Sequence, residues 1–388
     1  MVSIGQGLAT SVKKLTPLSK KGCLFLLGVL FILGIGLRPS TVGTDTPHYQ
    51  SYYHEYFLDE VEKMEPLFHQ LVVALSSLKL PTTSLFSTIA CINFLLILLL
   101  VRTLSKKQGR QKNVINETRK DIHLLQTGDD LTTTSLIFTF ERIFLLLMTF
   151  FMISPFFFSG MTNVIRQGTA SLSLFVVLLQ PVLAPTVKRQ LLYLMALVLL
   201  AAGFHQSSLL FLFFFPFLFL SLPQLHGLVC GLFVGYLTGF SMWALHFLSN
   251  LSRLNIYERI IHAYPDAHYR MGVRFDFAVF TIFMGFFFHF LSQICLKKPE
   301  DKIFFSKLLK PYWILTFSFF LCGFGAYSDR LLLAPWMYLS ILAAAFIYQL
   351  LRQLQASRQW DMLFFMIASF YFCLKLRPSI RTLFTVLS

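Results

Sequence analysis

Long apolar runs separated by short polar segments make up most of this chain. A helix needs about 20 mostly apolar residues to cross the hydrocarbon core of a bilayer. Candidate spans fall at 22–38, 84–104, 133–158, 167–185, 190–204, 207–222, 225–248, 275–296, 310–328, 331–350 and 360–376. The pattern predicts an all-α, polytopic integral membrane protein with about 11 transmembrane helices.

One shorter segment, 65–80, leaves the predicted count at 11 or 12. It reads "EPLFHQLVVALSSLKL", so it could cross the membrane or lie along the interface. As a span, it would place the basic stretch "RTLSKKQGRQK" outside the cell. As an interfacial helix, it puts 20 of the 33 Lys and Arg residues, Arg102 among them, on one side. The positive-inside rule identifies that side as the cytoplasm and favours the interfacial placement.

This arrangement predicts a single transmembrane domain over residues 1–388. Its cytoplasmic loops are 105–132 and 297–310, and its extracytoplasmic loops are 40–83 and 249–274. The basic residues after the last span are the exception, because this topology puts them outside: Lys375, Arg377 and Arg381. The side of the carboxyl terminus therefore stays open.

Composition and charge agree with a membrane protein. The chain is 56% hydrophobic and 13% charged, with 45 phenylalanines among 388 residues, which excludes an ordinary soluble domain. Its net charge of +15 comes from basic residues between apolar runs, where they meet anionic headgroups rather than nucleic acid. The six cysteines lie in or beside apolar runs without metal-site spacing, so we expect buried thiols and no metal or cofactor.

An unusual polar stretch, "GTDTPHYQSYY", follows the first span. Thr46 is a suitable N-cap, with Pro47 at the first helical position. Four tyrosines then recur at the i, i+3, i+4, i+7 spacing of one helical face: Tyr49, Tyr52, Tyr53 and Tyr56. This face would suit the stacking of sugar rings, with Asp45 beside it as an acid, a base or a hydroxyl-binding group. The same spacing equally suits an interfacial tyrosine belt.

Three further polar clusters lie at the predicted outer ends of spans: Arg166 with Gln167, His205 with Ser208, and Asp329 with Arg330. Each alone has a plain structural interpretation, namely a snorkelling arginine, a hydrogen-bonded packing histidine and a salt-bridged turn. The predicted topology nevertheless brings an acid, a histidine and two arginines to one membrane face. Such a set would suit an anionic phosphate substrate.

These pieces resemble, in order, the EpsG-like group of Wzy-type polysaccharide polymerases of bacterial capsule, exopolysaccharide and O-antigen assembly. The matching stretches are "GTDTPHYQSYY", "EPLFHQLVVAL", "RQGTASLSLFV", "GFHQSSLLFL" and "YSDRLLLAPWMYL". They cover roughly residues 22–350, and the combination of "RQG" with the later "FHQSSL" is the most specific part. The resemblance implies a membrane fold like those of the C-type glycosyltransferases.

The resemblance also implies an activity. A growing glycan on undecaprenyl diphosphate would be moved to the non-reducing end of a new lipid-linked repeat unit, at the periplasmic face of the bacterial inner membrane. The implied partners are the undecaprenyl-diphosphate-linked donor and acceptor, the lipid bilayer, and a chain-length regulator and flippase of the same pathway. Neither a metal ion nor a nucleotide sugar would be needed.

For catalysis, the implied candidates are Asp45, Arg166 and His205, with the base left open between Asp45 and His205. The candidate substrate-binding residues are Tyr49, Tyr52, Gln167, Ser208, Asp266, Tyr269, Arg270, Asp329 and Arg330. Three of these lie in the loop 249–274, which would either cover the site as a lid or acceptor platform or be a solvated connector with an amphipathic helix.

Two other functions stay open. An O-antigen ligase or a transferase that uses polyprenyl-phosphate sugars would place an arginine and an acid at the same face. A lipid or glycan transporter would instead show repeated halves and polar groups through the middle of several spans. The polar groups of this chain concentrate at one edge, which favours the polymerase.

Overall fold

A computed structural model describes residues 28–58, 64–120, 129–183, 191–252, 271–325 and 327–355, with isolated positions between 363 and 374. Residues 28–36 are helical. The helices that follow are α1 (Thr46–Glu55), α2 (Pro66–Ser77), α3 (Thr82–Lys120), α4 (Asp129–Ile153), α5 (Pro155–Thr162), α6 (Ile165–Leu183), α7 (Leu191–Phe204), α8 (Ser208–Phe213), α9 (Leu222–Leu237), α10 (Phe240–Ser252), α11 (Phe275–Cys295), α12 (Pro299–Cys322) and α13 (Asp329–Gln353). No strand occurs in these ranges, so the predicted all-α class is confirmed.

The helices that are long and apolar enough to cross a membrane number three within these ranges: Thr82–Ser105 of α3, α11 and α13. Two bent pairs raise the number to five if each pair is one span. The α4–α5 pair bends by 80° and the α9–α10 pair by 85°. The predicted count of about 11 is therefore not confirmed.

Several predicted segment boundaries differ from those observed. The predicted span 207–222 is broken into α8, of 6 residues, and a 3-10 helix at Phe215–Phe219 that contains Pro216. The predicted loop 297–310 is mostly the first half of α12, and α3 continues through 105–120. Lysine and arginine made these segments look like loops, although both residues are good helix formers.

The segment 65–80 forms the 12-residue helix α2, about 18 Å long. This is well short of the roughly 30 Å hydrocarbon core, so the length of α2 fits an interfacial helix better than a span. Helix α1 also begins differently from the prediction. Asp45 is its N-cap, and the hydroxyl of Thr46 instead donates to the carbonyl of Val42 at 2.7 Å.

The core is built around α6, whose side chains are almost all buried. Helix α6 packs against α3, α7 and α5, while α13 packs against α12 and α4. The close approach of α5 to α6 depends on a glycine. A Cβ on Gly168 would collide with the carbonyl oxygen of Gly160. This contact fixes the start of α6, which carries the first residues of the site.

Candidate active site

Glu65 is the centre of the site, because each oxygen of its carboxylate binds a different predicted residue. Its Oε2 accepts a hydrogen bond from Nη1 of Arg166. Its Oε1 lies 2.8 Å from Nδ1 of His205. We call these three residues the Glu65 cluster. The cluster joins the start of α2, the start of α6 and the end of α7. Along the chain, Arg166 lies 101 residues and His205 lies 140 residues from Glu65.

Local structure explains why Glu65 can reach both partners. It is the N-cap of α2, with extended backbone angles (φ −54°, ψ 148°) and Pro66 directly after it. An N-cap side chain usually accepts a hydrogen bond from its own helix, but that of Glu65 does not. The carboxylate is therefore available to α6 and α7.

The tyrosines of α1 hold the chain that leads to Glu65. The hydroxyl of Tyr52 accepts a hydrogen bond from the backbone N–H of Met64 at 3.1 Å and lies 2.7 Å from Nδ1 of His69. Tyr49 packs against Phe68, and the guanidinium of Arg166 lies 5.8 Å and 5.7 Å from the two ring centres.

These contacts correct the predicted stacking platform. Tyr49, Tyr52 and Tyr53 are only 2–3% exposed, so their rings offer no face to a sugar. Apolar ring area is more stable against α2 than in water. The hydroxyls of Tyr52 and Tyr53 have partners at the buried edge, in His69 and in the carbonyl of Leu80. Tyr49 and Tyr52 therefore hold residues of the site in place through buried contacts.

The charge state of the Glu65 cluster follows from its surroundings. Burial raises the pKa of the Glu65 carboxyl, but the hydrogen bond from His205 and the charge of Arg166 outweigh burial, so the pKa lies below its ordinary value of 4.5. Glu65 is therefore ionised at neutral pH. An ionised carboxylate only accepts hydrogen bonds, so Nδ1 of His205 must carry the hydrogen. In the neutral ring, Nε2 is then left with a free lone pair.

A second part of the site is a cleft of about 200 Å³ near the starts of α1, α6 and α13. We call it the Asp45 cleft. Its lining residues are Thr44, Asp45, Ser159, Asn163, Val164, Tyr327, Asp329, Arg330 and Leu333. Across it, Nη2 of Arg330 lies 3.8 Å from Oδ2 of Asp45.

Glycine and asparagine position Asp45 at the cleft. Gly43 has φ +94°, which side-chain-bearing residues rarely adopt. The turn at Gly43 lets the N–H of Thr44 donate to Oδ1 of Asn163 at 2.9 Å. The two parts of the site are connected through Gln167, the neighbour of Arg166, whose side-chain amide donates to the carbonyl oxygen of Arg330.

The remaining predicted residues fall into two groups. Ser208 is 1% exposed, and its hydroxyl donates to the carbonyl of Ala201 at 3.2 Å, so it fastens α8 to α7 rather than reaching a ligand. Gln167 is likewise buried. The other group lies outside the described residues: Asp266, Tyr269 and Arg270.

Glu65 itself was not among the predicted site residues. The available signal was an acidic residue directly before Pro66 at the start of an apolar segment, within one of the stretches that carried the family resemblance. Its partners lie more than 100 residues away, so no local pattern could identify them.

Apolar helices around an acid that contacts a guanidinium and an imidazole point to a membrane-embedded protein with a polar site. The chain belongs to the EpsG family, whose profile matches residues 21–382, nearly the whole chain. This is a family of Wzy-like polysaccharide polymerases, so the predicted resemblance is confirmed. No curated protein and no solved structure shows a significant match.

Proposed function

We propose that this protein joins oligosaccharide repeat units carried on undecaprenyl diphosphate, at the periplasmic face of the bacterial inner membrane. One observation carries the proposal: a single ionised carboxylate, Glu65, binds both Arg166 and His205. The cluster thus combines a group that can take a proton with a group that can stabilise negative charge. Glycosyl transfer from a diphosphate requires both.

The reaction makes one bond and breaks one. The acceptor hydroxyl oxygen bonds to the anomeric carbon of the donor glycan, and the bond from that carbon to the diphosphate oxygen breaks. The electron pair of the broken bond leaves on the diphosphate, where Arg166 can stabilise the added charge. The hydroxyl proton passes to a base. The glycan thereby moves from one lipid carrier to the repeat unit on the other.

Geometry favours His205 over Asp45 as this base. Glu65 holds the ring of His205 with Nδ1 protonated, which leaves Nε2 able to accept a proton. The side chain of His205 is 25% exposed, so a hydroxyl could reach it. Asp45 instead lies opposite the guanidinium of Arg330, with Oδ2 3.8 Å from Nη2, so an acceptor hydroxyl would share this carboxylate with a cation.

Charge distribution supports the periplasmic side. Asp45 and Glu65 lie in the loop 40–83, which the basic-residue count puts opposite the lysine-rich segments. The short length of α2 fits this placement, because a spanning α2 would reverse the topology of all later segments.

The test is polymerisation by purified protein in lipid nanodiscs, supplied with lipid-linked repeat units from the host cells. We expect His205→Ala to lower turnover by about 100-fold or more, because general-base catalysis contributes about 10²–10⁴ in rate. His48→Ala is the matched control, since His48 is an exposed histidine of α1. Normal polymer from His205→Ala at normal abundance would remove this histidine from the mechanism.

A further inference from the structure

The Asp45 cleft is a binding site whose ligand can be inferred from its size and lining. Its volume of about 200 Å³ is below the roughly 300–1,000 Å³ of pockets that enclose drug-sized ligands. A single sugar ring fits such a space, whereas a diphosphate with an attached oligosaccharide does not. The cleft is also connected to the Glu65 cluster, through the contact between Gln167 and Arg330.

The charges of the cleft argue against a diphosphate. Two carboxylates, those of Asp45 and Asp329, line the cleft together with one guanidinium, that of Arg330. Oδ1 of Asp329 is buried and has no hydrogen-bond partner within the described part of the chain. An anion would meet two negative groups here, while a hydroxyl could donate to either of them. Carboxylates beside a guanidinium suit a neutral ligand with many hydroxyls.

An aromatic ring completes the cleft. Tyr327 lines it, and the guanidinium of Arg330 lies 4.5 Å from the ring centre. The backbone of Tyr327 has φ +58°, which is uncommon for a bulky residue and is tolerated where the surrounding structure requires it. The apolar lining is extended by Leu333. A sugar ring has one apolar face for such a surface and hydroxyl edges for the acids.

We propose that the Asp45 cleft binds the terminal, non-reducing sugar of the acceptor, with Tyr327 against the ring and Asp45, Asp329 and Arg330 on its hydroxyl groups. This inference rests on the proposed function for the identity of the acceptor. It assigns Arg330 to sugar recognition and leaves the donor diphosphate to the side of Arg166. The aromatic contact expected from α1 is thus provided by the turn before α13.

Binding tests the cleft separately from catalysis. The probe is the free oligosaccharide released by mild acid from the host's lipid-linked repeat units, and inorganic diphosphate is the competing probe. Both are titrated into the full-length protein in nanodiscs, with ligand NMR as the readout. We expect Tyr327→Asn to weaken oligosaccharide binding about tenfold. Asparagine tolerates the positive φ, so the turn is kept. Tyr327→Phe retains the ring and should bind as the wild type does.

Two further variants separate the possible outcomes. Asp45→Asn should weaken oligosaccharide binding, whereas His205→Ala should leave that binding unchanged while it lowers the rate of polymer formation by about 100-fold or more. The inference is wrong if the wild type binds no oligosaccharide, if Tyr327→Asn and Asp45→Asn bind it normally, or if diphosphate binds the wild type and Asp45→Asn changes that affinity. If oligosaccharide binding follows the expected pattern but His205→Ala makes polymer at the wild-type rate, the cleft assignment holds and the proposed mechanism fails.

Discussion

Replacing Glu65 with glutamine removes one negative charge from the site while the size of the side chain is kept. The guanidinium of Arg166 can only donate hydrogen bonds, so it will take the single amide oxygen. The amide NH₂ must then face His205, whose Nδ1 has to accept. The hydrogen of the neutral ring moves to Nε2, and the lone pair that we assign to the base is lost.

The expected loss of rate can be bounded. In serine proteases the equivalent change, from an aspartate to an asparagine beside the catalytic histidine, lowers kcat by about 10⁴ through the same inversion. Glu65 is 12% and His205 25% exposed, so water competes for these contacts and reduces the effect. We therefore expect kcat to fall by about 10²–10⁴, which corresponds to about 3–5 kcal/mol of transition-state stabilisation.

The assay is polymer formation in nanodiscs, paired with ¹⁵N NMR of labelled histidine to detect the change of tautomer. Glu55→Gln is the matched control, because it makes the same chemical change at an exposed position of α1. Loss of activity without a change of tautomer would assign Glu65 a structural role. A Glu65→Gln protein with normal kcat and normal abundance would refute the reasoning.

Four other outcomes follow from the same contacts. Arg166→Lys keeps the positive charge but loses the planar guanidinium that can donate two parallel hydrogen bonds to a phosphate, so kcat in the nanodisc assay should fall about 100-fold. Gly168→Ala should lower the free energy of unfolding by about 1–3 kcal/mol in thermal melts, because the added methyl group meets the carbonyl oxygen of Gly160. Gly227→Ala is the control and should leave the free energy of unfolding unchanged, because its methyl group enters open space. The pKa of Glu65 in the folded protein is lowered from its ordinary value of 4.5, so the ionised carboxylate stabilises the fold fully above pH 4.5. This stabilisation is lost as the pH falls through the lower pKa of the folded state. The melting temperature of the wild type should therefore drop more steeply below pH 4.5 than that of Glu65→Gln. A cysteine placed at Ile115 in a cysteine-free background should resist an impermeant reagent in intact cells, and labelling there would overturn the topology.

Topological reasoning from the sequence correctly brought two residues of the cluster together. Arg166 begins one apolar helix and His205 ends the next, and the two helices, α6 and α7, pack against each other. The same reasoning put Asp45 and Arg330 at one membrane face, and they lie across one cleft. The first inference agrees with the structure because consecutive antiparallel helices joined by a short connection usually pack side by side. The membrane face itself stays a prediction.

Periodicity and hydropathy predicted helices and their faces, but not what each face contacts or where a helix bends. The tyrosines of α1 share a face as predicted, but that face is covered by α2, because a short helix outside a span still buries its apolar side wherever a neighbour is available. Hydropathy also could not show that 133–158 bends by 80° between α4 and α5. Ser154 caps the second helix by accepting from the N–H of Phe157, and Pro155 follows it.

Glu65 shows why the polar site of this protein can be identified only with a three-dimensional structure. Between helices in a bilayer, apolar side chains gain little from choosing one neighbour over another, since lipid tails are equally apolar. Polar contacts are more selective, because a charged group without a partner there is costly. The two contacts that assemble the cluster span 101 and 140 residues, so they are products of helix packing. Within the cluster, the acid that orients the histidine had only local sequence signals, namely its place before a proline and within a stretch shared with the family, yet both other members contact it.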